Sequence, residues 1–193
     1  MANLRANKIV GIGSTDAGVV FDGDVKINSQ GVMYFPKGDT SQRGRGRGVF
    51  GGGIHSPNPS TTAMQYIQIQ STSNAVDFGS LTAARSDISG SGNGTRGVLS
   101  GGYNPAASDV IDYVTIATTG NATDFGDLIS IRTGTSALGN SIRGTWFGGY
   151  SPTWVNIIDY VTIATTANAS DFGDGVNTVR NAGPISDSHG GLS

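Results

Sequence analysis

The chain has 193 residues, a formal net charge of −2 and no cysteine. That length suits one or two small domains. The near-neutral charge gives no global field for nucleic acid, and the missing thiols exclude a disulfide framework and a thiolate metal site. Glycine occurs 31 times, every acidic residue is Asp, and Lys and Leu are scarce. Strong helix formers are therefore rare while turn formers and β-branched residues abound, so composition predicts an all-β protein with many turns. Charged residues make up only 13 %, and the apolar residues fall in ordered clusters, which argues against a disordered chain.

Residues 1–46 form the first predicted region. "KIVGIGS", "GVVFDGDVKINSQ" and "GVMYFP" read as three strands separated by Gly and Asp turns. Half of the basic residues lie here, among them Lys8, Lys26 and Arg43. The region reads as a short β-rich segment that anchors the chain or caps its remainder. It lacks the long apolar core of a signal peptide, and no run approaches the roughly 18 apolar residues of a membrane span. "RGRGR" (Arg43 to Arg47) reads as a hinge, with phosphate contact as the alternative.

From residue 47 onward the chain repeats. Asp77-Phe78-Gly79, Asp124-Phe125-Gly126 and Asp171-Phe172-Gly173 recur every 47 residues. "IDYVTIATTGNATDFGD" (Ile111 to Asp127) and "IDYVTIATTANASDFGD" (Ile158 to Asp174) match at 15 of 17 positions, and "MQYIQIQSTSNAVDFGS" (Met64 to Ser80) is a more distant copy. Before each copy stands "RGVFGGG", "RGVLSGGY" or "RGTWFGGY", from Arg47, Arg96 and Arg143; after each comes an arginine, Arg85, Arg132 or Arg180. The repeats run about 47–95, 96–142 and 143–193, and the closing "SHGGLS" reads as the opening of a fourth.

A period near 47 occurs in propellers and in helical arrays. "DYVTIAT" alternates and is β-branched, which selects a strand. Both its faces carry apolar residues, as expected where sheets stack face to face. The "RGVFGGG" piece reads as an inner strand with glycines for close backbone approach. Each Asp-Phe-Gly reads as a turn or short strand whose Phe plugs between units, and three or four short strands per unit are predicted.

Gly-Gly followed by an aromatic strand at this spacing resembles the kelch class of β-propellers. The wording "GGY…IDYVTIATTGNATDFGDL" is similar to repeat proteins in the virions of tailed bacteriophages, cyanophages especially, over roughly residues 47–191. The resemblance implies kelch-like blades and a structural protein of the virion, made in the host cytoplasm and placed in the tail or a tail fibre. It implies other virion proteins as partners, with a host-surface glycan or protein as a further one. Capsid decoration and carbohydrate binding by a propeller are the rival readings. Closed propellers use about four to eight blades, so three units in one chain predict a homo-oligomer, dimer or trimer.

Asp-Phe-Gly is also a metal-binding signature of protein kinases. The chain has no "HRD" and no glycine-rich loop followed by a strand Lys, so Asp77, Phe78, Asp124, Phe125, Asp171 and Phe172 are read as structural, with Arg85, Arg132 and Arg180 pairing recurrent Asp residues between units. His55 and His189 lack converging ligands, and the recurrent Asp residues lack a calcium loop, so no metal or cofactor is expected. No catalytic residue is predicted and the protein is read as not an enzyme. The loops that differ between copies are the candidate binding surface, carrying His55, Tyr103, Tyr150 and Trp154.

Overall fold

A computed structural model describes residues 46–55, 60–69 and 71–186. The expected strands of residues 1–45 and the "SHGGLS" ending lie outside the described residues. Those described are all β, in three antiparallel sheets. The first holds β1 (Arg47–Gly51), β2 (Ala63–Gln68) and β3 (Val76–Ser80). The second holds β4 (Ser89–Gly92), β5 (Arg96–Ser100), β6 (Ser108–Thr115) and β7 (Thr123–Arg132). The third holds β8 (Ser136–Gly139), β9 (Arg143–Phe147), β10 (Ile157–Thr162) and β11 (Ser170–Asp174). Every sheet is a meander in chain order, and no sheet closes on itself among the described residues.

The repeat fixes the register. Val49 faces Tyr66, Val98 faces Tyr113 and Thr145 faces Tyr160. In β2–β3, Met64 faces Gly79 and Gln65 faces Asp77, which leaves Phe78 as an extra residue. Phe125 is extra in the same way between Asp124 and Gly126, and Phe172 between Asp171 and Gly173. Each Asp-Phe-Gly is thus a β-bulge, a device that bends a strand and re-aims one side chain. The glycine completes it at φ 141°, 140° and 134°, where a Cβ is disfavoured.

The re-aimed phenylalanine leaves its own sheet for the next one. Phe78 joins Met64 and Leu81 of the first unit against Val114 of the second. Phe125 joins Val98, Ile111 and Leu128 against Trp146, Val161 and Ile163 of the third. The core therefore lies between the sheets. Both faces of β6 are used, with Ile111 on one cluster and Val114 on the other. Each phenylalanine also meets a tyrosine edge-on, Tyr66 at 6.0 Å, Tyr113 at 5.9 Å and Tyr160 at 5.9 Å, a geometry worth about 0.5–1.5 kcal/mol beyond burial.

The "RGVFGGG" piece, expected as an inner strand, forms β1 at the edge of its three-stranded sheet, and its copies form β5 and β9. β5 and β9 are interior to their sheets, and the edge strands that meet the neighbouring unit are the Ser/Gly-rich β4 and β8. There, Ser91 Oγ donates to the Leu138 carbonyl at 3.0 Å and Asn93 Nδ2 to the Ser141 carbonyl at 3.1 Å. Small polar residues let two backbones approach closely, and sequence positions one repeat apart come to lie side by side. Residues after β11 continue the pattern: Ser136 Oγ donates to the Ala182 carbonyl at 2.7 Å, and Ser186 Oγ to the Gly139 carbonyl at 3.1 Å.

Candidate functional site

The junction between units is built from three contacts. The first is a loop seated on the bulge. In the second unit, Gly120 N donates to the Phe78 carbonyl at 2.7 Å and Ala122 N to the Ser80 carbonyl at 2.8 Å, while Asn121 Oδ1 accepts from Ser80 N at 3.1 Å. In the third unit, Ala169 N donates to the Asp127 carbonyl at 2.7 Å and Asn168 Oδ1 accepts from Asp127 N at 3.2 Å. A Cβ on Gly79 or Gly126 would collide with that loop, at Gly120 and Ala167 respectively. The Asp127 carboxyl is raised from its ordinary value by partial burial, then by Asp109 and Asp124.

The second contact is an arginine that opens each unit. Arg47 lies over the Tyr66 ring at 4.5 Å and donates to the carbonyls of Ile116 and Ala117 at 3.1 and 2.8 Å. Arg96 lies over Tyr113 at 4.7 Å and donates to Ile163 and Ala164 at 3.1 and 2.9 Å. Arg143 lies over Tyr160 at 4.9 Å, with its side chain exposed.

The third is a buried ion pair. Arg85 Nη2 sits 2.6 Å from Asp112 Oδ2, and Arg132 Nη2 sits 2.5 Å from Asp159 Oδ2. Both arginines also donate to two carbonyls, Gly101 and Val110 for Arg85 and Gly148 and Ile157 for Arg132. The two aspartates differ in one partner. Thr82 donates to Asp112 from its hydroxyl at 2.6 Å and from its N–H at 3.2 Å. Its counterpart Ile129 offers Asp159 only an N–H, at 3.1 Å, and Asp159 Oδ1 is left without a partner. Burial, incompletely offset by Arg132, holds the Asp159 carboxyl above its ordinary value; burial likewise lowers Arg132.

Arg180 does not occupy the third copy of this place. The Arg85 carbonyl accepts from Gly53 N and the Arg132 carbonyl from Gly102 N, but Gly149 N donates to Val179. Val179 follows Arg132 by 47 residues, and Arg180 by one more. The extra residue turns Arg180 into a cleft instead. There its guanidinium lies 5.8 Å over the Tyr150 ring and 3.4 Å from Asp87 Oδ2, with both charged side chains partly exposed.

That cleft has a volume of about 460 Å³ and is lined chiefly by Tyr103, Tyr150, Ile131, Pro152, Asp87 and Arg180. The Gly-Gly-Tyr sequence positions its walls. Gly101 and Gly102 have φ 64° and 109°, Gly148 and Gly149 67° and 110°, so each loop turns back and its tyrosine backbone zips to the preceding segment. Tyr103 N donates to the Ser86 carbonyl and Ser86 N to that of Tyr103; Tyr150 and Thr133 make the same exchange. Two of the four loop residues singled out in the sequence, Tyr103 and Tyr150, are thereby brought together. Trp154 is exposed and bridges Tyr150 through its backbone without lining the cleft. His55 lines a separate recess of about 290 Å³ with Phe50, Ile54 and Thr61. Asp87, Ile131 and Pro152 carry no such mark in the sequence; the only signal for Arg180 is its spacing of 48 where 47 is the rule.

Two aromatic rings, a guanidinium and one carboxylate on a half-open apolar wall suit a ligand with a flat apolar side and hydroxyl groups. A pair of carboxylates for hydrolysis is not part of this lining, since Asp87 stands alone. Among the described residues no three of His, Cys, Asp and Glu converge, and no helix is long and apolar enough to cross a membrane. No protein-family model matches the chain, and no curated protein matches it.

Proposed function

We propose that this is a non-enzymatic structural protein of a tailed-phage virion, in the tail or a tail fibre, whose units are kelch-like blades that assemble side by side and hold their variable loops outward. The observation that carries the reading is the use of Asp-Phe-Gly. The motif with a catalytic namesake is a bulge that seats the neighbouring unit's loop, so the most repeated residues of the chain serve assembly. The wording of the repeat, similar to phage virion proteins, supplies the setting. Immunogold labelling with antibody against the chain, on purified phage particles from its source, tests it. Gold on the tail is expected; gold spread over the shell supports capsid decoration instead, and unlabelled particles contradict both.

A second reading, sugar binding by the same scaffold, is favoured by the Tyr103–Tyr150 cleft. A glycan array probed with the chain and with Tyr150→Ala separates it from the first. Binding that Tyr150→Ala abolishes supports recognition in the cleft, and binding unaffected by it places any ligand elsewhere.

A further inference from the structure

The two ends of the stack carry the two halves of the junction found inside it. At the rear of the third unit, Phe172 is 53 % exposed where Phe78 and Phe125 are 2 % and 3 %. A Cβ on Gly173 would meet nothing, although the bulge keeps its shape and its φ of 134°. Arg143 stands on its tyrosine with no hydrogen-bond acceptor among the described residues, where Arg47 and Arg96 each hold two carbonyls of the next unit. At the front of the first unit, Phe50 and Ile69 are 60 % and 68 % exposed, while their third-unit counterparts Trp146 and Ile163 are fully buried. The loop Ser71–Ala75, whose counterparts carry Asn121 and Asn168 onto a bulge, carries Asn74 and is exposed.

The ends also match in charge. At the inner junctions an arginine of one unit pairs an aspartate of the next. The third unit has Val179 in the arginine's place and the first has Gln65 in the aspartate's place. Joining rear to front therefore buries no charge without a partner, whereas a rear carrying arginine against Gln65 would.

We infer that the rear of the third unit binds the front of the first unit of a second copy, continuing the stack from chain to chain. Ala75 N then donates to the partner's bulge as Ala122 and Ala169 do, and the guanidinium of Arg143 takes carbonyls beginning at Ile69. The contact is heterologous: it closes a ring if the rotation allows and otherwise extends a filament. This deepens the assembly half of the proposed function and rests on it, but its test is independent of any virion.

The chain has no cysteine, so thiols can be placed one at a time. Full-length Ala75→Cys and Asp174→Cys chains are mixed and treated with a short bis-maleimide. A covalent dimer in the mixture that neither variant gives alone is expected. In parallel, light scattering of the cysteine-free chain should exceed the 19.7 kDa of one copy, and the exposed-site change Phe50→Glu should weaken association about thirtyfold, as for loss of an aromatic anchor. Crosslinks within one variant only, association indifferent to Phe50→Glu, or a chain that stays at one copy would each overturn the inference. None of those results would bear on where the protein sits in a virion.

Discussion

Phe125 and Phe172 occupy equivalent bulges and meet equivalent tyrosines edge-on, Tyr113 and Tyr160, yet one is buried and the other half open to solvent. Local sequence is therefore sufficient to build the bulge, and only a following unit buries its phenylalanine. The third unit differs from the other two at the positions around this phenylalanine. Thr145 stands where Val49 and Val98 pack, and Gly175 where Leu81 and Leu128 pack. The space left by that leucine is taken from the other side: a Cβ on Gly175 would run into the Phe147 ring, and Phe147 replaces Gly51 and Ser100.

The largest differences between the units are expected at the phenylalanines. Phe125→Ala should cost about 3–5 kcal/mol, the range for emptying an aromatic site in a core. Phe172→Ala in dilute protein should cost under about 1 kcal/mol, as an exposed-site change; urea melts of both check this. Arg132→Met should cost a similar 3–5 kcal/mol because it strands Asp159 in the interior, and the double change with Asp159→Leu should recover most of it.

The glycines sharpen the same contrast. Both Gly126→Ala and Gly173→Ala place a Cβ at positive φ, at about 1–3 kcal/mol each. Gly126→Ala alone must also push back the loop at Ala167, adding about 1–3 kcal/mol of overpacking. Equal losses would mean that the loop does not press on the bulge.

The two buried aspartates set a finer test. Ile129→Thr copies Thr82 and offers Asp159 Oδ1 the hydroxyl it lacks, so it should stabilise by about 1 kcal/mol. It should also change the pH dependence. The Asp159 carboxyl is raised in the folded protein, so that state binds the proton more tightly than the unfolded chain does. This group's contribution is present below its unfolded value and is lost as pH rises through the folded one. In melts across this window, Ile129→Thr should gain on the parent chain as pH rises. The smallest effect is expected at Arg180→Ala, within about 1 kcal/mol, because its pair with Asp87 is exposed.

The constant 47-residue spacing made the units, their strands and the packing role of Phe78 and Phe125 legible in the sequence. The alternation of "DYVTIAT" with apolar residues on both faces foretold sheets stacked on both sides. The edge strands β4 and β8 were not legible, because "SGSG" and "SALG" have low strand propensity and owe their state to the neighbour beside them. Of the cleft, the tyrosines were legible as aromatics in variable loops. Arg180 was not, since residue type suggested a third copy of Arg85 and Arg132, while a one-residue slip sent its side chain to the cleft and left Val179 in the backbone position that Arg85 and Arg132 hold.

The most direct test of the bulge as a seat for the neighbouring loop is amide hydrogen exchange by NMR in dilute protein. Slow exchange is predicted for Ala122 and Ala169, which donate across the two junctions, and fast exchange for Ala75 at the same place in the first unit. If Ala122 and Ala169 exchange as fast as Ala75, the loops are not held by the bulges and the account of the repeat is wrong.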